Sequence, residues 1–312
     1  MRHRAIGALV GLAVGDAVGT TLEFRAPGSF TPIDDMVGGG PFGLAPGQWT
    51  DDTSMAMCLA ESILDTGTLD PADQMRRYVA WQQDGYWSST GRCFDIGGTT
   101  RAALDRFVRT GEAIASGEVN QDQAANGSLM RLAAVPIRWH ADIVEAAQRS
   151  GESSRPTHPA ARPVDACRAF GAMIAALIQR VDAEVVLDPG FWSFGPLDPD
   201  VEAVVRGSWR NGGRSGVIRG TGFVIDALEA ALWAVGEADD FRSAVLRAAN
   251  LGDDADTTAA IAGQLAGARW GFDAIPSEWR DRITSGERIA AIADRLYDAG
   301  AGGAAVGAGA DD

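Results

Sequence analysis

The sequence predicts an all-α protein folded as one compact helical domain, on three observations. Apolar residues recur at helical spacing along most of the 312 residues. Convincing runs that alternate apolar and polar residues, as strands do, are nearly absent. Gly- and Pro-rich loops punctuate the periodic segments, and no long Pro- or Ser-rich linker divides the chain into two units. The expected domain spans residues 1–297, with residues 298–312 as a disordered Gly/Ala tail.

Ile6–Val18 is rich in Ala, Gly and Val and apolar all round, as suits a buried helix packed closely on its neighbours. In Ser54–Leu64, Met55, Leu59, Ser62 and Ile63 fall at helical spacing, with Asp51 or Asp52 where an N-cap would stand. Helical periodicity returns over Asp73–Trp81, Thr99–Val108, Val164–Arg180, Thr221–Val235, Phe241–Ala249, Asp256–Trp270 and Arg288–Tyr297. The intervening stretches Gly38–Trp49, Gly85–Gly98, Asn120–Ser128, Ser150–Pro163 and Pro189–Pro199 read as loops. Loops this long inside a domain are functional or disordered, and their aromatic and charged residues favour function. Trp49, Trp81 and Trp87 read as core or pocket wall. The end, Ala299–Asp312, is low in complexity.

The formal net charge is −15, and every basic side chain apart from the histidines is an arginine. A protein that tracks nucleic-acid phosphates needs the opposite balance, so nucleic acid is not an expected partner. An acidic surface serves solubility, or a pocket that attracts metal cations or a guanidinium. Cys58, Cys93 and Cys167 are odd in number, widely spaced and without a CxxC pair, which suits buried thiols in a reducing compartment rather than disulfides or zinc. Asp16 breaks the N-terminal apolar run early, with no cleavage site after it, and no apolar stretch reaches the roughly 20 residues of a membrane span. The expected location is cytoplasmic, with no membrane partner.

Two acidic clusters stand out. "WTDDTS" joins the Thr50 hydroxyl to Asp51 and Asp52 just before a helix, and "GDDADTT" sets Asp253, Asp254, Asp256 and Thr257 at the entry to another. Hard divalent cations take such oxygen ligands, and a helix N-terminus favours carboxylates nearby. A lone Asp-Asp before a helix is ordinarily a cap with a solvated neighbour. Two clusters, each pairing Asp with Thr and each leading into a helix of small residues, balance that reading evenly against a shared metal site. The absence of His and Cys from both points to Mg²⁺ or Mn²⁺ rather than zinc. Asp16, inside an apolar helix, must be paired and is expected to steady a metal-site loop.

Seven segments in order, "GALVGLAVGDAVGTTLEF" (7–24), "GQWTDDTSMA" (47–56), "GRCFDIGGTT" (91–100), "NGSLMR" (126–131), "SSRPTHP" (153–159), "GTGFVIDALEAALW" (220–233) and "NLGDDADTTAAIAGQLAG" (250–267), cover nearly the whole chain. Through them the sequence resembles the ADP-ribosylglycohydrolase family, and within it the bacterial dinitrogenase reductase-activating glycohydrolases. The resemblance implies a helical fold with two Mg²⁺ or Mn²⁺ ions in a cleft for the terminal ribose of an ADP-ribosyl group. It implies Thr50, Asp51, Asp52, Asp254, Asp256 and Thr257 as ligands, with Asp253 a bystander. It implies Glu23 and Asp95 as catalytic, Glu23 beside the ribose and Asp95 facing the arginine side of the scissile bond.

Asn126, Gly127 and Ser128 match a loop around the diphosphate, His158 a ligand-contacting loop, and Phe223 an aromatic that stacks on adenine. By its own chemistry Gly127 suits close backbone approach to a phosphate as well as a plain turn. His158 reads equally as a ligand or a surface residue, and Phe223 as core. The implied activity is hydrolysis that frees ADP-ribose from a modified protein side chain, with "CFDIG" favouring arginine. The alternatives are an ADP-ribose-binding module without turnover, or hydrolysis of a serine, O-acetyl or nucleic-acid linkage. A phosphohydrolase lacks its P-loop and lysine here.

Overall fold

The computed structural model describes residues 1–114 and 124–307. Its helices are α1 (Arg2–Gly19), α2 (Asp51–Thr66), α3 (Pro71–Asp84), α4 (Gly98–Thr110), α5 (Ala134–Arg138), α6 (Ile143–Ser154) and α7 (Ala161–Ile178), then α8 (Ala183–Val186), α9 (Pro199–Val205), α10 (Val224–Gly236), α11 (Phe241–Ala249), α12 (Ala255–Trp270), α13 (Ser277–Arg280) and α14 (Gly286–Gly307). Among the described residues there is no strand, only two isolated bridges, so the expected all-α class holds. Local chemistry starts several helices. Asp70 caps α3 through the N–H groups of Ala72 and Asp73, with Pro71 as first helical residue. Asp240 and Ser243 form a reciprocal capping box on α11.

The centre of the fold is the antiparallel pair α1 and α12. A Cβ added at Gly7, Gly11, Gly15 or Gly19 would lie 2.4, 2.3, 2.1 or 2.3 Å from the carbonyl oxygen of Gly267, Gly263, Ala259 or Ala255. Four residues up one helix match four down the other, and the absent side chains let the backbones touch. This contact sets the end of α1, with Asp16 buried on it, beside the start of α12. By length and composition Arg2–Leu22 could cross a bilayer, contrary to the expectation that no stretch is long enough. Here it is the core helix, with 89% of its most apolar window buried. Trp49 and Trp81 are fully buried and Trp87 nearly so, which makes them core.

Three expectations change. The Ser150–Pro163 loop shrinks, because Asp142 caps a helix that runs to Ser154 and α7 begins at Ala161. Its Ser/Gly composition serves close packing: a Cβ at Gly171 of α7 would sit 2.0 Å from Ser150 Oγ. The helix expected from Thr221 starts at Val224, since Thr221–Phe223 lies extended against the Ala124–Asn126 segment. The last helix continues to Gly307, beyond the expected domain end at Tyr297. The first part of the Asn120–Ser128 loop and residues 308–312 lie outside the described residues.

Candidate metal centre and substrate cleft

Both acidic clusters open a helix. Thr50 is the N-cap of α2, with Asp51 and Asp52 in its first turn rather than at the cap. Asp254 is the N-cap of α12, with Asp256 in its first turn. Neither N-cap side chain makes a capping hydrogen bond. Acids from the α1 end do so instead. Asp16 Oδ1 accepts from Thr50 N at 2.9 Å and Thr50 Oγ1 at 3.0 Å. Asp16 Oδ2 accepts from Thr53 N at 3.0 Å and Thr53 Oγ1 at 2.6 Å. Glu23 Oε2 accepts from Ala255 N at 2.8 Å and Asp256 N at 3.3 Å. Borrowed caps satisfy free N–H groups of both helices and leave the local carboxylates to face each other.

The two clusters meet in one buried volume. Asp16, Asp52 and Asp256 each place an oxygen within 4.8 Å of the others, and so do Glu23, Asp254 and Asp256. Thr50 Oγ1 lies 3.0 Å and Thr257 Oγ1 3.4 Å from Asp52 Oδ2. Asn126 Nδ2 donates to Asp254 Oδ2 at 2.6 Å. Burial and then the neighbouring acids push Asp51, Asp52 and Glu23 far above the ordinary carboxylate range. The same causes hold Asp95 at about 11 and bring Asp254 to about 7. Asp16 reaches about 7, burial outweighing its four donors. No ion pair among the described residues reaches these acids.

This array fits divalent cations. Asp52 Oδ1 and Asp256 Oδ2 are buried without a hydrogen-bond partner, a costly state that a cation would relieve. The donors are all oxygens, the set that hard ions take. Asp256 belongs to both groups of converging acids, and Asp16, with both oxygens engaged by α2, positions the Thr50 end.

The cleft above the acids holds about 490 Å³ and is lined by Glu23, Asp51, Asp95, Asn126, Asp254 and Thr257 among others. Asp253 also lines it, while its backbone N–H and C=O pair with Arg25 O and Phe24 N at 2.8 and 2.7 Å. Ala125 and Gly222 are shared with a neighbouring cavity of about 510 Å³, walled by Thr99, Ala102 and the half-buried Phe223. Phe223 is thus at a pocket, as the N-cap of α10, rather than core.

Ser128 and His158 point inward. Ser128 Oγ accepts from Ser154 Oγ at 2.8 Å. His158 is only 2% exposed, with Nδ1 2.7 Å from Thr157 Oγ1 and its pKa lowered by burial to about 3. A Cβ at Gly127 would come within 2.9 Å of the His158 ring, so the glycine is required by that close approach. Sequence reasoning missed Arg131. Buried at the end of "NGSLMR", it donates to Gly127 O at 3.0 Å and Thr157 Oγ1 at 2.7 Å and ties the two loops together. A lone arginine closing an apolar run was the available signal.

Comparison with known proteins gives the family of the chain. The family model described as ADP-ribosylglycohydrolase matches residues 1–305. ADP-ribosylarginine hydrolase Tri1 of Serratia proteamaculans (strain 568) is 44% identical over 294 residues, covering 94% of this chain and 79% of that protein. ADP-ribosyl-[dinitrogen reductase] glycohydrolase of Rhodospirillum rubrum is 32% identical over 297 residues, 91% of each chain. A solved structure described as an ADP-ribosylglycohydrolase-related protein complex superposes with a TM-score of 0.83 at 36% identity, covering 96% of this chain and 98% of that one. The chain is an enzyme of the ADP-ribosylglycohydrolase family.

Proposed function

We propose that this enzyme hydrolyses the N-glycosidic bond between ADP-ribose and an arginine side chain of a mono-ADP-ribosylated protein, with two Mg²⁺ or Mn²⁺ ions as cofactors. The carrying observation is Asp256, whose carboxylate converges with Asp16 and Asp52 on one side and with Glu23 and Asp254 on the other. The arginine linkage rests on the relatives named for it and on Asp95. The three free cysteines suit the reducing cytoplasm.

Thr50, Asp51, Asp52, Asp254, Asp256 and Thr257 would hold the ions, which when bound supply Lewis-acid polarisation of the ribose and stabilise charge developing at its C1. Asp95 lines the cleft, and as a carboxylate it would hold the guanidinium by charge-assisted hydrogen bonds. Glu23 or Asp95 would move the protons as water replaces the departing nitrogen at C1. Glu23, committed through one oxygen to α12, would fix the ribose end. Phe223 would stack on adenine in the adjoining pocket, and Asn126 with the Gly127 backbone would border the diphosphate. Ser128 and His158 would hold that loop from behind.

A substrate panel tests this reading. Proteins carrying ADP-ribose on arginine or serine, and ADP-ribosylated nucleic acid, are incubated with the enzyme and each metal. Release from arginine in preference to the others is expected. Intact ADP-ribosyl-arginine beside release from another linkage overturns it, and metal-dependent ADP-ribose binding without any hydrolysis would favour a binding module.

A further inference from the structure

Phe24 has no place in the metal chemistry, yet it lines the same cleft next to Glu23. It is 67% exposed, the most exposed large apolar side chain described. Its φ of 59° lies in the left-handed region, which a bulky aromatic seldom occupies. The hydrogen bonds between its segment and Asp253 hold it there, at 2.7 and 2.8 Å. Behind it the ring meets Phe42 edge-on at 6.2 Å, and Phe42 meets Phe94 at 5.2 Å. Phe94 immediately precedes Asp95, itself at a φ of 59°. An aromatic ridge of three rings therefore links Phe24, next to Glu23, to Phe94, next to Asp95, and Phe24 and Asp95 both line the acidic cleft. An exposed ring in a strained backbone gains little from burial, and its place in the cleft lining sets it against whatever enters.

We propose that Phe24, braced by Phe42 and Phe94, is a specificity-determining residue that stacks on the planar guanidinium of the leaving arginine. The inference rests on the arginine reading above. A flat, weakly hydrated cation is attracted to an aromatic face, and carboxylates lining the same cleft take its N–H groups. A hydroxyl-linked leaving group offers neither a plane nor a charge and gains nothing from the ridge.

The test compares Phe24→Ala, Phe24→Leu and Phe24→Tyr on ADP-ribosyl-arginine, with ADP-ribose and agmatine binding by calorimetry. Ala and Leu variants are expected to raise KM and agmatine Kd about tenfold, with ADP-ribose Kd unmoved, while Tyr behaves as wild type. A Leu variant matching wild type, or an equal loss of ADP-ribose affinity, overturns the proposal by reducing Phe24 to bulk or to general shape. Failure of the arginine reading shows separately, as wild-type enzyme that leaves ADP-ribosyl-arginine intact. Agmatine binding needs no turnover, and equal agmatine Kd in wild type and Phe24→Ala overturns the stacking claim in either case.

Discussion

Asp16 and Asp256 share one buried volume, yet their surroundings give them different roles. Asp16 spends both oxygens on α2, whereas Asp256 keeps a buried oxygen without a donor. Asp16→Asn keeps the shape but replaces one acceptor oxygen by an N–H₂ that faces the α2 donors. Its Mn²⁺ affinity, read by calorimetry, is expected to fall about 10- to 100-fold. Asp256→Asn removes a residue common to both converging groups, and hydrolysis is expected to drop by roughly 100- to 1000-fold with the circular dichroism unchanged. Wild-type rates in that variant would remove Asp256 from the chemistry. The acids themselves were legible because Asp and Thr lie adjacent in each cluster. Their freedom was not, because the caps that release them come from Asp16 and Glu23, distant in sequence from the helices they cap. Nor could spacing tell that Ser128 and His158 turn inward, since a loop side chain's direction depends on what packs behind it.

The contact between α1 and α12 does at the level of elements what these hydrogen bonds do at the level of atoms. It fixes the α1 end, and so both borrowed caps, against the α12 start. Gly11→Ala would drive a Cβ into Gly263 O at 2.3 Å and is expected to cost about 1–3 kcal/mol in denaturant unfolding. Gly98→Ala, where a Cβ meets nothing within 4 Å, is expected to leave stability unchanged or raised. Equal effects of the two would show that the helices can separate at no cost. Most helices were readable from periodicity, α1 and α12 by their small residues. The pairing of Gly7 with Gly267 was not, because it needs the antiparallel register. The whole of α6 was missed, and its end was read as loop because Gly and Ser at a helix–helix contact look like one.

At the scale of the molecule, the fold gathers acids that the metal-free protein cannot hold ionised together. A carboxyl whose pKa is raised on folding keeps a proton that the unfolded chain has released. That contribution is complete below the ordinary value of 3.8 and is lost as pH rises through about 7 for Asp16 and Asp254. The metal-free protein is therefore expected to melt at lower temperature at pH 8 than at pH 5.5. Added Mn²⁺ should raise the melting temperature more at pH 8, because the ligands bind as carboxylates. The opposite order would mean that these acids ionise freely without metal. Metal dependence of the reaction itself is tested most directly by stripping the enzyme with a chelator, then measuring release of ADP-ribose from an arginine-modified protein before and after Mn²⁺ or Mg²⁺ is restored. No release from the stripped enzyme is expected, with recovery on restoration. Undiminished release by the stripped enzyme would contradict a metal-centred site.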